Sequence, residues 1–214
     1  LTVAAAEPKK ETAAPHPSLA PVEDVAGLPR VLLIGDSISM GYTIPVRKHL
    51  EGKANVHRIP TNGGPSSKGI ASIDAWLGAS KWDVIHFNWG IHDLKFMPDG
   101  KRQVEPADYE KNLRVLVAKM KAVGAKLIWA TITPIPDGDL QPPRKFGDEG
   151  EYNAIAKKIM EDNGIDINDL NARVMPELDK LQKPKDVHFT EEGSAFLAKR
   201  VAAEIEAALP TKKD

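Results

Sequence analysis

The chain has 214 residues, and its 29 Lys and Arg balance 30 Asp and Glu to give a formal net charge of −1. Such a balance provides no strongly basic surface and argues against nucleic acid as a partner. The hydrophobic content of 42% is ordinary for a globular domain. The absence of cysteine excludes disulfides, thiolate metal ligands and a cysteine nucleophile.

The first 28 residues differ in composition from the rest of the chain. Residues 7–28 are rich in Pro, Ala, Glu and Lys, which predicts a flexible leader, and residues 29–214 are predicted to form one domain. The run Ala4-Ala5-Ala6 before a polar stretch is typical of the end of a signal peptide, so we expect export to the periplasm or the extracellular space. The alternative is a plain disordered tail. No stretch reaches the length of a membrane span.

From Arg30 onward, short apolar runs alternate with amphipathic segments. Strands are predicted at residues 31–35, 55–59, 83–88, 126–132 and 165–167. Helices are predicted at residues 39–50, 67–77, 106–123, 149–162 and 168–181, and in a last segment capped by Thr190. This alternation predicts an α/β domain, a three-layer α/β/α flavodoxin-like fold with a mostly parallel five-stranded sheet.

Polar segments follow the first four predicted strands. Ser37 follows the first strand, Asn62–Gly64 the second, Gly90–Asp93 the third, and the loop at residues 134–146 the fourth. In parallel sheets, ligands bind outside the carboxyl ends of the strands. The sequence therefore predicts a functional site on this rim of the sheet.

One of these segments, together with a later one near the C-terminus, carries the Ser, His and Asp that a hydrolase needs to make a hydroxyl nucleophilic. In Gly35-Asp36-Ser37, a strand ending in glycine would expose the Ser37 hydroxyl beside backbone N–H groups, although Asp and Ser are also common helix caps. In Asp186-Val187-His188, just before the last helix, His188 could accept the serine proton and Asp186 could orient the imidazole. The competing interpretation is a surface histidine beside a solvated aspartate.

Two further segments could supply hydrogen-bond donors to an oxyanion. The glycines of Asn62-Gly63-Gly64 allow a close approach of the backbone to a ligand, although an ordinary turn would look the same. The segment 88–93, Asn-Trp-Gly-Ile-His-Asp, gathers polar groups and a tryptophan directly after a buried strand. These segments predict Asn62, Asn88 and Trp89 as substrate-binding residues.

Together the segments resemble the SGNH (GDSL-like) hydrolase family, some of whose members remove acetyl groups from carbohydrates. The residues that carry the resemblance are, in chain order, Gly35-Asp36-Ser37-Ile38, Gly64, Gly90-Ile91-His92-Asp93, and Asp186 with His188. The resemblance implies a catalytic set of Ser37, His188 and Asp186. It also implies an oxyanion hole formed by the N–H groups of Ser37 and Gly64 and by the His92 side chain.

The chain departs from the family pattern at two places. The third block normally reads Gly-x-Asn-Asp, and His92 replaces its asparagine; an imidazole N–H could keep the donor role, or Asn88 could compensate. The last block normally reads Asp-x-x-His, and Lys185 occupies the usual acid position. Asp186 then completes the triad, or Ser37 and His188 work as a dyad helped by a backbone carbonyl.

We therefore expect a serine esterase that hydrolyses acyl esters, acetyl esters of carbohydrate first, through an acyl-serine intermediate. No metal or organic cofactor is expected, and the expected partner is a small-molecule or glycan ester. A lipid esterase or lysophospholipase is the first alternative. The second is a non-catalytic carbohydrate-binding protein on the same fold.

Overall fold

The computed structural model describes residues 15–211. Its centre is one sheet of five strands in the order β2-β1-β3-β4-β5, and every neighbouring pair is parallel. The strands are β1 (Arg30–Ile34), β2 (Asn55–Arg58), β3 (Val84–Phe87), β4 (Lys126–Ala130) and β5 (Asp166–Asn168). This is the strand order of flavodoxin-like folds.

Helices cover both faces of the sheet. They are α1 (Ser37–His49), α2 (Ser66–Leu77), α3 (Pro106–Ala122), α4 (Glu149–Asp162), α5 (Leu170–Val174), α6 (Leu178–Leu181) and α7 (Glu191–Ala208). Helix α1 packs against α7 on one face, and α3 packs against α2 and α4 on the other. The predicted three-layer α/β/α fold with a five-stranded parallel sheet is therefore confirmed.

The core explains why the sequence forms these elements. Strands β1 and β3 lie between other strands and between two helical layers, so their continuous apolar runs are buried on both faces. Helix α3 buries the side chains that recur on one of its faces, namely Tyr109, Leu113, Leu116, Val117 and Met120. The apolar period thus fixes which face of the helix meets the sheet.

Two helix predictions differ from the structure. Helix α1 begins at Ser37, two residues earlier than predicted, because the Asp36 carboxylate caps it by accepting a hydrogen bond from the Ile38 N–H at 2.9 Å. The predicted helix at residues 168–181 is divided. Asn168 ends β5, and a 3-10 turn at Met175–Glu177, with proline at its centre, separates α5 from α6.

The segment of residues 15–28 lies against the domain, which differs from the flexible leader predicted for residues 7–28. The buried Asn55 side chain accepts a hydrogen bond from the Val25 N–H at 2.8 Å and donates to the carbonyls of Val25 and Leu28. Asp24 forms an ion pair with Arg30. Polar pairing therefore replaces the apolar burial that this segment lacks.

The predicted signal-peptide end at Ala4–Ala6 lies outside the described residues, and export stays a prediction. Within residues 15–211, no helix combines the length and the apolar character needed to cross a lipid bilayer.

The attachment of residues 20–28 is expected to depend on Asn55. Replacing Asn55 with alanine removes three hydrogen bonds and leaves their backbone groups without a partner. This should lower the free energy of unfolding by about 1–3 kcal/mol. Limited proteolysis should also cut residues 20–28 faster than in the wild type. The matched control is Glu23→Ala at an exposed position in the same segment, and equal cleavage of both variants would contradict the expectation.

Candidate active site

The turn between β1 and α1 places Ser37 at the carboxyl edge of the sheet. Ser37 is the first residue of α1, where backbone N–H groups have no partner within the helix. The turn is tight: a Cβ added to Gly35 would lie 2.7 Å from the Ser39 Cβ, so only glycine fits there. The serine hydroxyl is thus held on a rigid element beside unpaired N–H donors.

A buried arginine braces this turn from behind. The Arg58 guanidinium, at the end of β2, donates to the carbonyls of Gly35 at 2.8 Å and Asp36 at 2.9 Å, and to the Ser39 hydroxyl at 3.0 Å. Burial lowers the pKa of Arg58 to about 10, so it stays charged at neutral pH. Sequence reasoning missed this residue, although a lone basic residue at the end of a buried strand was the available signal.

Ser37, His188 and Asp186 form one hydrogen-bonded chain. The Ser37 Oγ lies 2.8 Å from the His188 Nε2, and the His188 Nδ1 lies 2.7 Å from the Asp186 Oδ1. The same carboxylate oxygen also accepts a hydrogen bond from the His188 backbone N–H at 3.0 Å. The structure therefore joins residues that are 151 positions apart in the sequence.

The protonation state of the carboxylate fixes the imidazole tautomer. Burial opposes ionisation of Asp186, but the hydrogen bonds from His188 outweigh it and hold the pKa of the carboxyl below its usual value. An ionised carboxylate only accepts hydrogen bonds, so the proton of neutral His188 sits on Nδ1. The Nε2 atom is then free to accept the Ser37 proton.

The short Asp-x-His spacing is accommodated by an unusual backbone conformation. Lys185, which occupies the usual acid position, has a φ of 53°, in the left-handed region that non-glycine residues seldom adopt. The turn then presents Asp186 to His188, and of the two sequence alternatives the geometry is that of a triad and not of a dyad.

The second predicted oxyanion donor is engaged within its own loop. The Gly64 N–H donates to the Asn62 Oδ1 at 2.9 Å, and neither residue lines the cleft beside Ser37. A hydrogen bond from the Gly63 N–H to the Gly35 carbonyl, at 2.9 Å, ties this loop to the turn that carries Ser37. Asn62, predicted to contact substrate, thus uses its side-chain oxygen to hold Gly64 and is not among the residues that line the cleft.

His92 lines the cleft together with Ser37 and His188. Burial lowers the pKa of His92, and the nearby Arg144 and Lys95 act in the same direction. The imidazole is therefore neutral at neutral pH and keeps one N–H donor. This is the side chain that stands where the family pattern has asparagine.

The structure does not support substrate contacts for Trp89 or Asn88. Trp89 is fully buried, and a Cβ added to Gly69 would lie 2.9 Å from its ring, so its indole packs in the core and is closed to a sugar. The Asn88 amide donates to the Ala130 carbonyl at 2.7 Å, which also removes it as a substitute for the missing asparagine.

A cleft of about 630 Å³ opens beside Ser37. Apart from the triad and His92, its lining consists of Ile91, Lys95, Asp139, Leu140, Gln141, Pro142, Arg144, Pro184, Lys185 and Val187. The loop after β4 was expected on this rim, but its Arg144 was not recognised as a site residue. Among residues 15–211, no group of three or more His, Asp or Glu side chains is placed to hold a metal ion.

Asp93, next to His92, anchors this loop to α2. Its Oδ1 accepts a hydrogen bond from the Ser66 N–H at 2.9 Å and another from the Ser66 hydroxyl. Its Oδ2 is buried and has no partner in the described part of the chain. Burial raises the pKa of Asp93 to about 6, although the bonds from Ser66 oppose this.

The raised pKa of Asp93 predicts a pH dependence of stability. Above about pH 6 the carboxyl is ionised in both states, and burying that charge opposes folding; as the pH falls toward 3.8, the folded state takes up the proton first and gains stability. The difference between the two pKa values corresponds to roughly 3 kcal/mol. As the pH rises from about 4 to about 7, the free energy of unfolding of wild type should therefore fall by up to this amount relative to that of Asp93→Asn.

Urea unfolding at a series of pH values measures this difference. The exposed Asp179→Asn variant serves as the control and should run parallel to wild type at every pH. If Asp93→Asn also runs parallel to wild type, the carboxyl does not titrate in this range in the folded protein.

Comparison with known proteins agrees with this geometry. The model of the GDSL-like lipase/acylhydrolase family matches residues 33–196, which is well over half of the chain. A comparison with curated proteins returned no match.

Three solved structures share the fold. An acetyl xylan esterase has a TM-score of 0.71 at 18% identity, over 82% of this chain and 99% of its own. A lipase/acylhydrolase from Enterococcus faecalis has a TM-score of 0.74 at 20% identity, over 87% and 100%. An acetylxylan esterase from Geobacillus stearothermophilus has a TM-score of 0.67 at 22% identity, over 83% and 94%. With the family match, the conclusion follows that this chain belongs to the GDSL-like lipase/acylhydrolase family and is a carboxylic ester hydrolase.

Proposed function

We propose that this protein is a serine esterase that removes acetyl groups from carbohydrate through an acyl-serine intermediate. The observation that carries the proposal is the hydrogen-bonded chain from Ser37 through His188 to Asp186, open to the cleft. A structural histidine at the surface would not need both ring nitrogens placed in this way.

The first half of the reaction forms the acyl-enzyme. The Ser37 Oγ attacks the ester carbonyl carbon while the His188 Nε2 takes the hydroxyl proton, and the ionised Asp186 stabilises the imidazolium that results. As the bond to the alcohol breaks, His188 returns the proton to the leaving oxygen. Water then attacks the acetyl-serine with His188 again as base, which releases acetate and restores Ser37.

The negative charge that develops on the carbonyl oxygen needs donors that are already in place. Ser37 and His92 both line the cleft, and two donors would be the Ser37 N–H at the start of α1 and the N–H of neutral His92. The Gly64 N–H donates to Asn62 in the resting structure, so its use requires that it exchange this acceptor for the substrate oxygen.

The lining of the cleft favours a polar alcohol. Charged and polar side chains, among them Lys95, Gln141 and Arg144, line the cleft together with apolar ones such as Ile91 and Leu140, and within residues 15–211 no long apolar segment lines it as a long acyl chain would need. Two of the structurally similar proteins are acetyl xylan esterases by name. Both observations support acetylated carbohydrate over the lipid esters that were the first alternative.

Ser37→Ala should abolish hydrolysis of 4-nitrophenyl acetate while leaving the thermal unfolding midpoint close to that of wild type. The matched control is Ser67→Ala, an exposed serine in α2 that should keep full activity. Mass spectrometry after a rapid quench should find one acetyl group on the peptide that carries Ser37 in wild type. Acetate release from acetylated xylan should exceed hydrolysis of an octanoyl ester.

Each part of the proposal has its own contradicting outcome. Full turnover by Ser37→Ala would remove Ser37 as nucleophile. A clear preference for the octanoyl ester would favour a lipid esterase. Binding of acetylated glycan by folded wild type without any turnover would favour a carbohydrate-binding protein.

His92→Ala should lower kcat by about 10²–10³-fold, because it deletes one preorganised donor to the oxyanion. His92→Asn should retain most of the activity, since its amide restores the donor of the family pattern. KM should change little in either variant, because the donor acts mainly on the transition state. If His92→Ala retains kcat within about threefold, well short of the loss of such a donor, the imidazole is not part of the oxyanion hole.

A further inference from the structure

The cleft selects mainly the alcohol part of the substrate. This inference rests on the function proposed above, in which the acyl group is acetyl. An acetyl group is small and fills only a minor part of the cleft of about 630 Å³. The alcohol leaves from the side of His188, which must protonate it. The remaining lining of the cleft therefore meets the alcohol, and its charge determines which alcohols bind.

Three basic side chains line this cleft: Lys95, Arg144 and Lys185. Within residues 15–211, none of the three forms an ion pair with a carboxylate. Two carboxylates also line the cleft, but Asp186 is held in the triad and Asp139 is exposed at the rim. Unpaired positive charge is thus concentrated beside the nucleophile in a chain whose net charge is −1.

Arg144 is the most strongly constrained of the three. Its Nε donates to the Ile91 carbonyl at 2.8 Å, and its Nη1 donates to the Pro142 carbonyl at 3.2 Å. A guanidinium has five N–H groups, so these two bonds fix its plane and leave others for a ligand. Burial lowers the pKa of Arg144, although the Asp36 and Asp186 carboxylates oppose this. The group is partly desolvated and would gain from a bound anion.

The two lysines extend the positive charge along the cleft. The Lys185 stem passes the loop after β4, since a Cβ added to Gly138 would lie 3.5 Å from its Cγ. Lys185 lies three residues before His188 and has the left-handed backbone conformation described above. Lys95 follows His92 by three residues and is half-buried. Positive charge therefore borders the site from the base side and from the oxyanion side.

We infer that the preferred substrate is an acetyl ester whose alcohol part carries a carboxylate, as in a glycan that contains uronic acid residues, and that Arg144 binds this carboxylate. The planar guanidinium matches a carboxylate with two parallel hydrogen bonds. The lysines add attraction at longer range. A neutral sugar would leave the partly buried Arg144 guanidinium without an anionic partner.

A pair of small substrates isolates the effect of the charge. 4-Acetoxybenzoate and its methyl ester release the same acetyl group, and only the first has an anionic alcohol part. The measured quantity is the ratio of kcat/KM for the anionic to the neutral ester. Arg144→Gln should lower this ratio about tenfold or more, as expected when a charge-assisted hydrogen bond is lost.

Further variants test whether the effect on the ratio is specific to Arg144 and does not come from altered folding or altered reactive groups. Lys95→Gln and Lys185→Asn should lower the ratio less than Arg144→Gln; asparagine is chosen at 185 because it tolerates the left-handed backbone. The exposed Lys111→Gln in α3 is the control and should leave the ratio unchanged. The wild-type ratio should also fall as NaCl is raised, because the lysines are partly exposed.

A glycan comparison tests the same inference on polymers. Wild type should release acetate faster from O-acetylated polygalacturonate than from acetylated xylan, and Arg144→Gln should remove this preference. Equal ratios for wild type and Arg144→Gln, with both esters hydrolysed, would overturn the inference and leave the esterase proposal standing. Failure of wild type to hydrolyse either small ester would overturn both.

Discussion

The active-site rim depends on the buried guanidinium of Arg58. A charge in the interior is costly unless hydrogen bonds surround it, and here the acceptors are the carbonyls of Gly35 and Asp36 and the Ser39 hydroxyl. These acceptors belong to the turn that carries Ser37. The Gly35 carbonyl also receives the Gly63 N–H, so the second loop is attached to the same point. Satisfying one buried charge thereby fixes the position of Ser37.

The oxyanion side of the site has a separate anchor. His92 sits in a loop held by Asp93, whose carboxylate binds Ser66 at the start of α2. The two anchors lie on different loops and rest on opposite charges, a guanidinium and a carboxyl. Ser37 and His92, the proposed oxyanion donor, are therefore held by separate contacts, so His92 can stand where the family pattern has asparagine without altering the contacts that hold Ser37.

The fold was predictable because it follows from the spacing of apolar residues and from the turn and cap residues that end each element. Apolar runs such as that of β1 and the apolar face of α3 require a sheet buried on both faces and an amphipathic helix, whatever their distant neighbours are. The chain order of Ser37, His92 and His188 was equally readable. Trp89 was misassigned because composition does not reveal which way a side chain turns at a strand end. Arg144 was missed because its partners are backbone carbonyls, which any residue offers, and the partners of Arg58, two carbonyls and the Ser39 hydroxyl, could not be inferred from its position at a strand end.

The acid and the base of the triad sit in one short turn, where a strained Lys185 brings Asp186 back onto His188. Their mutual geometry is thus a local property that depends on the few residues of this turn. Only the contact between His188 and Ser37 spans the molecule, joining the segment before α7 to the start of α1. The Ser37–His188 contact therefore depends on the packing of the last helix, α7, against the first, α1.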